Sequence, residues 1–290
     1  MAGFSGGTFI NCEITDHTTV GDGAGVWDVS FEGRPNFDGC LFARNHSAGS
    51  GGGAQIAGDQ GAAFTNCRFE DNSALSGGGL SHPGGLPPHL AEPIHDCQFI
   101  NNTATNAGGG LAFSTQASVR LFNNLFWGNT AGQKGGALYI SRGVGGVSTC
   151  VVASSTMVGN SAPLGAGVSI AGVPAVNPPK LDHTIIAFSG GGPAVDCGAF
   201  SADGACTDIF GNSGGDWVGC IASELGVDGN IAADPLFCDT VGGDFHLSDA
   251  SPCAPAHSGG CDLIGALGAQ CGATPVAPST WGSIKASFHR

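Results

Sequence analysis

The chain has 290 residues, of which 52 are glycine and 12 cysteine, and its formal net charge is −14. The nine Lys and Arg residues are scattered, so the basic cluster that nucleic acids require is missing, and an anionic membrane surface is disfavoured for the same reason. No apolar run reaches about 18 residues, so no transmembrane helix is predicted.

A pattern recurs every 27 to 31 residues through the first 190 residues. Its first column contains Cys12, Cys40, Cys67, Cys97, Asn124, Ser155 and His183. Two positions later an apolar column contains Ile14, Phe42, Phe69, Phe99, Phe126, Met157 and Ile185. Five positions after the first column lie His17, Asn45, Asn72, Asn102, Asn129, Asn160 and Phe188, followed in most copies by a glycine cluster.

A period of this length predicts a solenoid, a propeller or an array. The apolar segments, such as those at 110–113 and 137–140, are short and lack helical periodicity. Propeller blades need about 40 residues, more than each copy supplies. The pattern therefore predicts an all-β fold, a parallel β-helix of about 8–10 coils stacked about 4.8 Å apart.

The columns predict structural roles. Stacked Phe42, Phe69, Phe99 and Phe126 would fill the interior, since each buried aromatic side chain removes about 150–250 Å² from water. The amides of Asn45, Asn72, Asn102, Asn129 and Asn160 would form a hydrogen-bonded ladder from coil to coil. Coils that cannot bury their own faces gain stability from their neighbours.

Phe-x-x-Asn followed by Gly-Gly-(Ala/Gly)-(Leu/Val) resembles the repeat of the polymorphic outer-membrane protein family, and the wider group of bacterial right-handed parallel β-helix repeat proteins. The copies at 42–45, 69–72, 99–102 and 126–129 carry this resemblance, whereas Met157, Ile14 and His17 depart from it. The resemblance implies right-handed coils and export, and it does not specify an activity.

Seven cysteines lie in an irregular region and predict disulfides in an oxidising compartment: Cys197, Cys206, Cys220, Cys238, Cys253, Cys261 and Cys271. The favoured pairing is Cys253 with Cys261. No Cys-x-x-Cys occurs, which disfavours zinc. The earlier column at Cys12, Cys40, Cys67 and Cys97 is open to inter-coil disulfides or to buried free thiols, and free thiols are favoured.

The predicted organisation is regular coils at 1–195, a Cys-rich irregular end at 196–272, and a Pro-rich linker with a tail at 273–290. The stretch 230–237 and Ser251-Pro252 resemble the closing segment of secreted bacterial β-helix proteins. The tail reads equally as a sorting tag or as an amphipathic end docked on the last coil. The first residues show neither a signal peptide nor a cap, so a mature form, a fragment or an end that pairs with another chain is expected.

Two groups of side chains are candidate sites. His82, His89, Glu92 and His95 lie in or beside one expanded loop, where they are candidates for ligand binding, although an ordinary solvent loop is favoured over a metal site. Lys134, Tyr139 and Arg142 fall within one coil and are candidates for proton abstraction from a uronate. No Asp-Asp or Asp-x-Asp pair of the kind that a glycoside hydrolase could use is present. No cofactor is predicted, with calcium as the alternative.

The sequence therefore predicts an extracellular or cell-surface solenoid with a structural, adhesive or self-assembly role, whose partners are further copies of itself or a glycan. One alternative is a polysaccharide lyase or glycoside hydrolase. Another is glycan binding without cleavage through Trp27, Trp127 or Trp217, if any of them is exposed.

Overall fold

In the computed structural model the residues described are 6–29, 33–58, 61–83, 94–115, 119–142, 150–172, 178–198 and 201–271. They form short strands wound into successive coils. The first three coils contain β1 (Thr8–Ile10), β2 (Glu13–Thr15), β3 (Thr18–Thr19), β4 (Val26–Asp28), β5 (Asn36–Asp38), β6 (Leu41–Ala43), β7 (His46–Ser47), β8 (Ala54–Ile56), β9 (Ala63–Thr65), β10 (Arg68–Glu70), β11 (Ser73–Ser76) and β12 (Leu80–His82).

The fourth to sixth coils contain β13 (Ile94–His95), β14 (Gln98–Ile100), β15 (Thr103–Ala107), β16 (Leu111–Thr115), β17 (Val119–Phe122), β18 (Leu125–Trp127), β19 (Thr130–Ala131), β20 (Leu138–Arg142), β21 (Cys150–Ala153), β22 (Thr156–Val158), β23 (Ser161–Ala162) and β24 (Val168–Gly172). The last coils contain β25 (Lys180–Asp182), β26 (Ile185–Ala187), β27 (Gly190–Gly191), β28 (Val195–Asp196), β29 (Asp203–Ala205) and β30 (Asp208–Phe210).

Equivalent strands of successive coils pair in parallel and form four sheets. The first, second, third and fourth strands of each coil form sheets A, B, C and D, and within the described residues sheets A and B have eight strands and sheets C and D seven. The parallel β-solenoid is thus confirmed. Seven coils contribute to all four sheets and an eighth adds β29 and β30, at the lower end of the predicted number.

Of the four connections in a coil, two have a constant length and two vary. The corner from sheet A to sheet B always takes two residues, and so does the corner from sheet B to sheet C. The first residue of each pair has a positive φ, for example 53° at Asn66 and 53° at Asp71, a conformation that Asn and Asp tolerate well. The connection from sheet C to sheet D takes three to six residues, and the connection from sheet D back to sheet A varies most, from residues 116–118 after β16 to residues 83–93 after β12.

Phenylalanine rings stack through the interior. Phe42, Phe69, Phe99 and Phe126 lie face to face, with centroids 4.6, 4.9 and 4.7 Å apart. A second stack, which includes Phe37 and Phe64 with centroids 5.0 Å apart, meets the first edge to face. All six of these rings are buried, so one continuous apolar core runs along the coils.

The asparagine column forms a hydrogen-bonded ladder beside this core. Asn102 Nδ2 donates to the Asn129 side-chain oxygen at 3.0 Å and to the Phe69 carbonyl of the preceding coil at 2.9 Å. Asn45, Asn72 and Asn129 repeat both bonds. The ladder therefore joins neighbouring coils through side-chain hydrogen bonds in addition to the backbone bonds of the sheets.

The side chains of the cysteine column also donate hydrogen bonds from one coil to the preceding one. Cys40, Cys67 and Cys97 are buried free thiols, and each donates to a carbonyl of the preceding coil at 3.3 to 3.4 Å. Later coils place Asn124 and Thr184 there, and they donate to the equivalent carbonyls. The column is thus occupied by small side chains that can donate a hydrogen bond.

In the seventh coil the predicted columns are wrong by one residue. Met157 pairs with Ile186, so Thr184, Ile186 and Ser189 take the positions assigned to His183, Ile185 and Phe188. His183 and Phe188 instead occupy the positive-φ corners, with φ values of 49° and 55°. The error matters because a shift of one residue exchanges the inner and outer faces of a strand.

The region after β30 closes the last coil and then folds back along its side. Ile221, in a 3-10 helix (Gly219–Glu224), packs on the main core. Residues 231–271, with the antiparallel hairpin β31 (Phe237–Asp239) and β32 (Asp244–Leu247), cover the outer face of sheet B. Within the described residues no helix is long and apolar enough to cross a membrane.

Three disulfides tie this region together, but the favoured Cys253–Cys261 pairing is wrong. The pairs are Cys197–Cys220, Cys206–Cys261 and Cys238–Cys271. Cys206 lies at the corner of the eighth coil, where the returning chain brings Cys261 within a Cα distance of 5.5 Å. Cys253 is a buried free thiol. Cys253 and Cys261 are close in sequence, but the returning path of the chain brings Cys261 to Cys206 instead.

Candidate functional site

The three residues proposed for proton abstraction occupy different parts of the fifth coil. Tyr139 lies on the outer face of sheet D, paired with Ala112 and Ser169. Lys134 precedes that strand and bridges to Ala107 and Leu164. Arg142 ends β20. The described contacts of these residues include no charge clamp for a uronate, and a lyase role stays a prediction.

The histidines of the expanded loop separate in space. His82 belongs to sheet D, is buried, and packs its ring on Phe113 with a centroid distance of 5.4 Å. His95 lies on the outer face of sheet A. His89 and Glu92 lie outside the described residues. In the described part of the chain, no group of three or more His, Cys, Asp or Glu side chains is arranged to hold a metal ion.

His95 is the centre of a hydrogen-bonded network that joins three coils. Thr65 Oγ1 lies 3.0 Å from His95 Nε2, and His95 Nδ1 lies 2.8 Å from Asp96 Oδ2. The other carboxylate oxygen of Asp96 accepts a hydrogen bond from the Asn123 amide. We call Thr65, His95 and Asp96 the hydroxyl–imidazole–carboxylate network.

The fold positions each member. Thr65 and His95 are cross-strand neighbours in sheet A because β9 and β13 pair in parallel. Asp96 follows His95 at the positive-φ corner, with φ of 56°, which turns its carboxylate back to the ring. The His95 and Asp96 side chains are 31% and 37% exposed, so a molecule in solution can reach them.

The electrostatics favour an ionised Asp96. Burial by itself would raise the pKa of Asp96, but hydrogen bonds from His95 and Asn123 outweigh it and hold that pKa below its usual value. An ionised Asp96 accepts a hydrogen bond from the Nδ1–H of His95. The Nε2 lone pair is then free to accept a hydrogen bond from the Thr65 hydroxyl. This order of groups is the one by which a hydroxyl is activated as a nucleophile.

Two further His–Asp pairs provide a comparison. His183 Nδ1 lies 2.8 Å from Asp182, and His246 Nδ1 lies 2.7 Å from Asp244. In the described part of the chain neither ring has a hydroxyl at its second nitrogen. The His95 network is therefore distinguished by Thr65, and the other two pairs serve as natural controls.

The sequence carried a signal for this network that the predictions did not use. Thr65 and His95 both lie two residues before the Cys67 and Cys97 column, so an alignment of the repeats places them side by side. The prediction selected His95 only as part of a loop. Its partner comes from the preceding coil, which inspection of the loop does not reveal.

Of the three tryptophans considered for glycan binding, only Trp27 is exposed, at 41%, on the outer face of sheet D. Trp127 is half-buried against Phe245, with ring centroids 5.3 Å apart. Trp217 is half-buried, and its indole N–H donates to the Ile231 carbonyl at 2.9 Å.

Comparison with known proteins agrees with the fold. A family model described as right handed beta helix region matches residues 1–177, more than half of the chain. The chain has no significant match among curated proteins or solved structures.

Proposed function

We propose that this chain, which belongs to the right-handed β-helix family, is a secreted or cell-surface solenoid with a structural, adhesive or self-assembly role. The observation that carries the proposal is the structural role of the polar columns that recur from coil to coil. The asparagine and cysteine side chains are buried and bonded between coils, so they stiffen the solenoid and are not presented to a ligand.

The disulfides support the proposed location. Three disulfides close the region 197–271, and such bonds persist in oxidising compartments. A rigid solenoid held at its end by disulfides suits an exposed position outside the cell, where it presents long lateral faces of low charge.

The test is carried out in cells of the source organism. Antibody labelling and protease digestion of intact cells report surface exposure, and alkylation followed by mass spectrometry reports which cysteines are oxidised. We expect accessible protein with the three disulfides formed. Protein found inside intact cells with Cys197, Cys206 and Cys238 reduced would overturn the proposal.

Adhesion and self-assembly are tested on purified protein. Retention on a panel of polysaccharides is measured for the wild type, for Trp27→Ala, and for Val241→Ala, which removes another exposed apolar side chain. Loss of retention only in Trp27→Ala supports glycan binding by that face. Light scattering over a range of concentrations reports self-association, and a constant monomer mass removes that part of the proposal.

A second candidate function is a carbohydrate-active hydrolase, and the hydroxyl–imidazole–carboxylate network favours it. In this reaction Thr65 Oγ1 attacks an ester carbonyl on a substituted glycan while its proton passes to His95 Nε2. The alcohol leaves with that proton, and water then hydrolyses the acyl-threonine by the reverse transfer.

The hydrolase is tested with acylated polysaccharides and with a fluorophosphonate probe that labels activated hydroxyls. We expect labelling at Thr65 that is lost in Thr65→Val and in His95→Gln. His183→Gln, which alters a His–Asp pair without a bonded hydroxyl, should leave labelling intact. Absence of labelling and of acyl release in the wild type would eliminate this candidate.

A further inference from the structure

The outer face of sheet B is apolar in its later coils and is covered by the chain itself. Leu125, Val158 and Ile185 point away from the core and are only 8%, 4% and 1% exposed. Residues 231–271, which we call the C-terminal clamp, provide the cover. Phe245 of the clamp packs edge-on against Trp127 of sheet B.

Four backbone amides of the clamp bond directly to the coils, and the first of them, Ile231, donates to the Thr207 carbonyl at 2.9 Å. Gly265 donates to the His183 carbonyl at 2.8 Å. Ala266 donates to Thr156 Oγ1 at 2.9 Å. Ala233 donates to Asp208 Oδ1 at 3.0 Å. The last of these bonds reaches a carboxyl group under the clamp.

Asp208 lies at the start of β30 on the covered face and has no exposed surface. Its second oxygen, Oδ2, lies 3.2 Å from the Cys253 thiol of the clamp. The charged groups that act on it are Asp216, between β30 and the 3-10 helix, and Asp234 of the clamp, both acidic. Burial is the largest influence on the pKa of Asp208 and raises it. The hydrogen bonds from Ala233 and Cys253 lower that pKa, the charges of Asp216 and Asp234 raise it, and the net result is a pKa of about 7.

We propose that the C-terminal clamp is a pH-dependent cover, seated on sheet B while Asp208 is protonated and loosened when Asp208 ionises. Ionisation places a negative charge in a buried position beside two other carboxylates. Lifting the clamp returns that charge to water. The Cys206–Cys261 disulfide keeps the lifted clamp attached to the eighth coil, so the change is local and reversible.

The direction of the pH effect follows from linkage. Asp208 has a raised pKa when the clamp is seated and an ordinary pKa of about 4 when it is lifted. Below both values the carboxyl group is neutral in either state, and pH has no effect. Between them the seated form binds the extra proton, so the ratio of seated to lifted clamp falls up to about tenfold per pH unit. Above about pH 7 the ratio becomes constant.

Hydrogen exchange on the intact full chain measures this ratio. Protection of the Ala233, Gly265 and Ala266 amides is followed from pH 5 to pH 8 and corrected for the intrinsic pH dependence of exchange. The amides of Ser73 and Thr103, which bond between regular coils, serve as internal references. We expect protection of the clamp amides to fall with rising pH while the references stay constant.

Two variants separate Asp208 from its surroundings. Asp208→Asn keeps the shape and removes the charge, so protection should no longer depend on pH. Asp234→Asn removes an exposed carboxylate of the clamp and should retain most of the dependence. Clamp protection that is constant with pH in the wild type, or an unchanged slope in Asp208→Asn, would overturn the proposal.

A direct titration covers the case in which Asp208→Asn does not fold. The carbon-13 shift of the Asp208 carboxyl group in the wild type reports its protonation. A midpoint near pH 7 supports the proposal, and a midpoint near the ordinary value of about 4 refutes it.

Discussion

The asparagine ladder has one gap, and filling it should stabilise the protein. In the seventh coil the ladder position holds Ser189, which is 2% exposed and whose hydroxyl has no hydrogen-bond partner. In the coil before it, Asn160 Nδ2 donates to the Phe126 carbonyl at 3.0 Å, and its side-chain oxygen accepts from the Asn129 backbone and amide at 3.0 and 2.9 Å. Ser189→Asn would make the equivalent three bonds to the sixth coil.

A glycine in the preceding coil accompanies most positions of the ladder. In four earlier coils a glycine lies against the ladder amide of the next coil, as Gly110 does against Asn129. Gly167 holds the same position opposite Ser189. Three hydrogen bonds at about 1 kcal/mol each, less about 1 kcal/mol for ordering the side chain, raise the free energy of unfolding by about 2 kcal/mol.

Calorimetry with the disulfides intact measures the gain, which corresponds to about 4–8 °C in melting temperature. Asn129→Ser is the matched variant, because it opens a second gap and should lower stability by a similar or larger amount. A melting temperature for Ser189→Asn equal to or below that of the wild type would refute the account of the ladder.

Three further predictions concern other parts of the molecule. Gly109→Ala should destabilise the coils by about 3 kcal/mol or more, because its Cβ would lie 2.4 Å from the Gly136 carbonyl, whereas Gly268→Ala, with no atom within 4 Å, should melt like the wild type. Asp96→Asn should reduce the loss of stability in acid. A carboxyl group whose pKa is lowered in the folded protein stabilises the fold above its ordinary pKa near 4 and loses that contribution as pH falls. Thermal melts between pH 2 and pH 7 check this. Replacing Cys206 and Cys261 together by Ala opens a loop of 55 residues, and denaturant unfolding should show a loss of about 4 kcal/mol, with none if the disulfide is absent from the native protein.

The repeated part of the fold was accessible from the sequence because its information is periodic. Phe69 and Asn72 recur with the same spacing in the neighbouring copies, and identical neighbours can stack only if the coils are parallel. The constant two-residue corners keep that spacing. The prediction went wrong by one residue in the seventh coil, where Ile186 replaces phenylalanine and the ladder position holds Ser189; the sixth coil already has Met157 in place of phenylalanine. There the pattern is too weak to set the alignment.

The candidate sites were less accessible because they depend on contacts between different coils. Thr65 and His95 are 30 residues apart and meet through strand pairing. His82 and His95 flank the same loop, yet one faces the core and the other faces solvent. Sequence separation alone does not distinguish these two outcomes.

The sequence by itself determined the β-helix, its coil length, and the buried columns of phenylalanine and asparagine, because the same residue pattern recurs in each coil. Only the tertiary structure decided how the non-repeating C-terminal chain is placed. It returns along sheet B, pairs Cys261 with Cys206, and buries Asp208 next to Cys253. The apolar strands at 125–127, 156–158 and 185–187 provide the surface for it. Which segment covers that surface depends on the three-dimensional path of the chain, since no periodic neighbour specifies it.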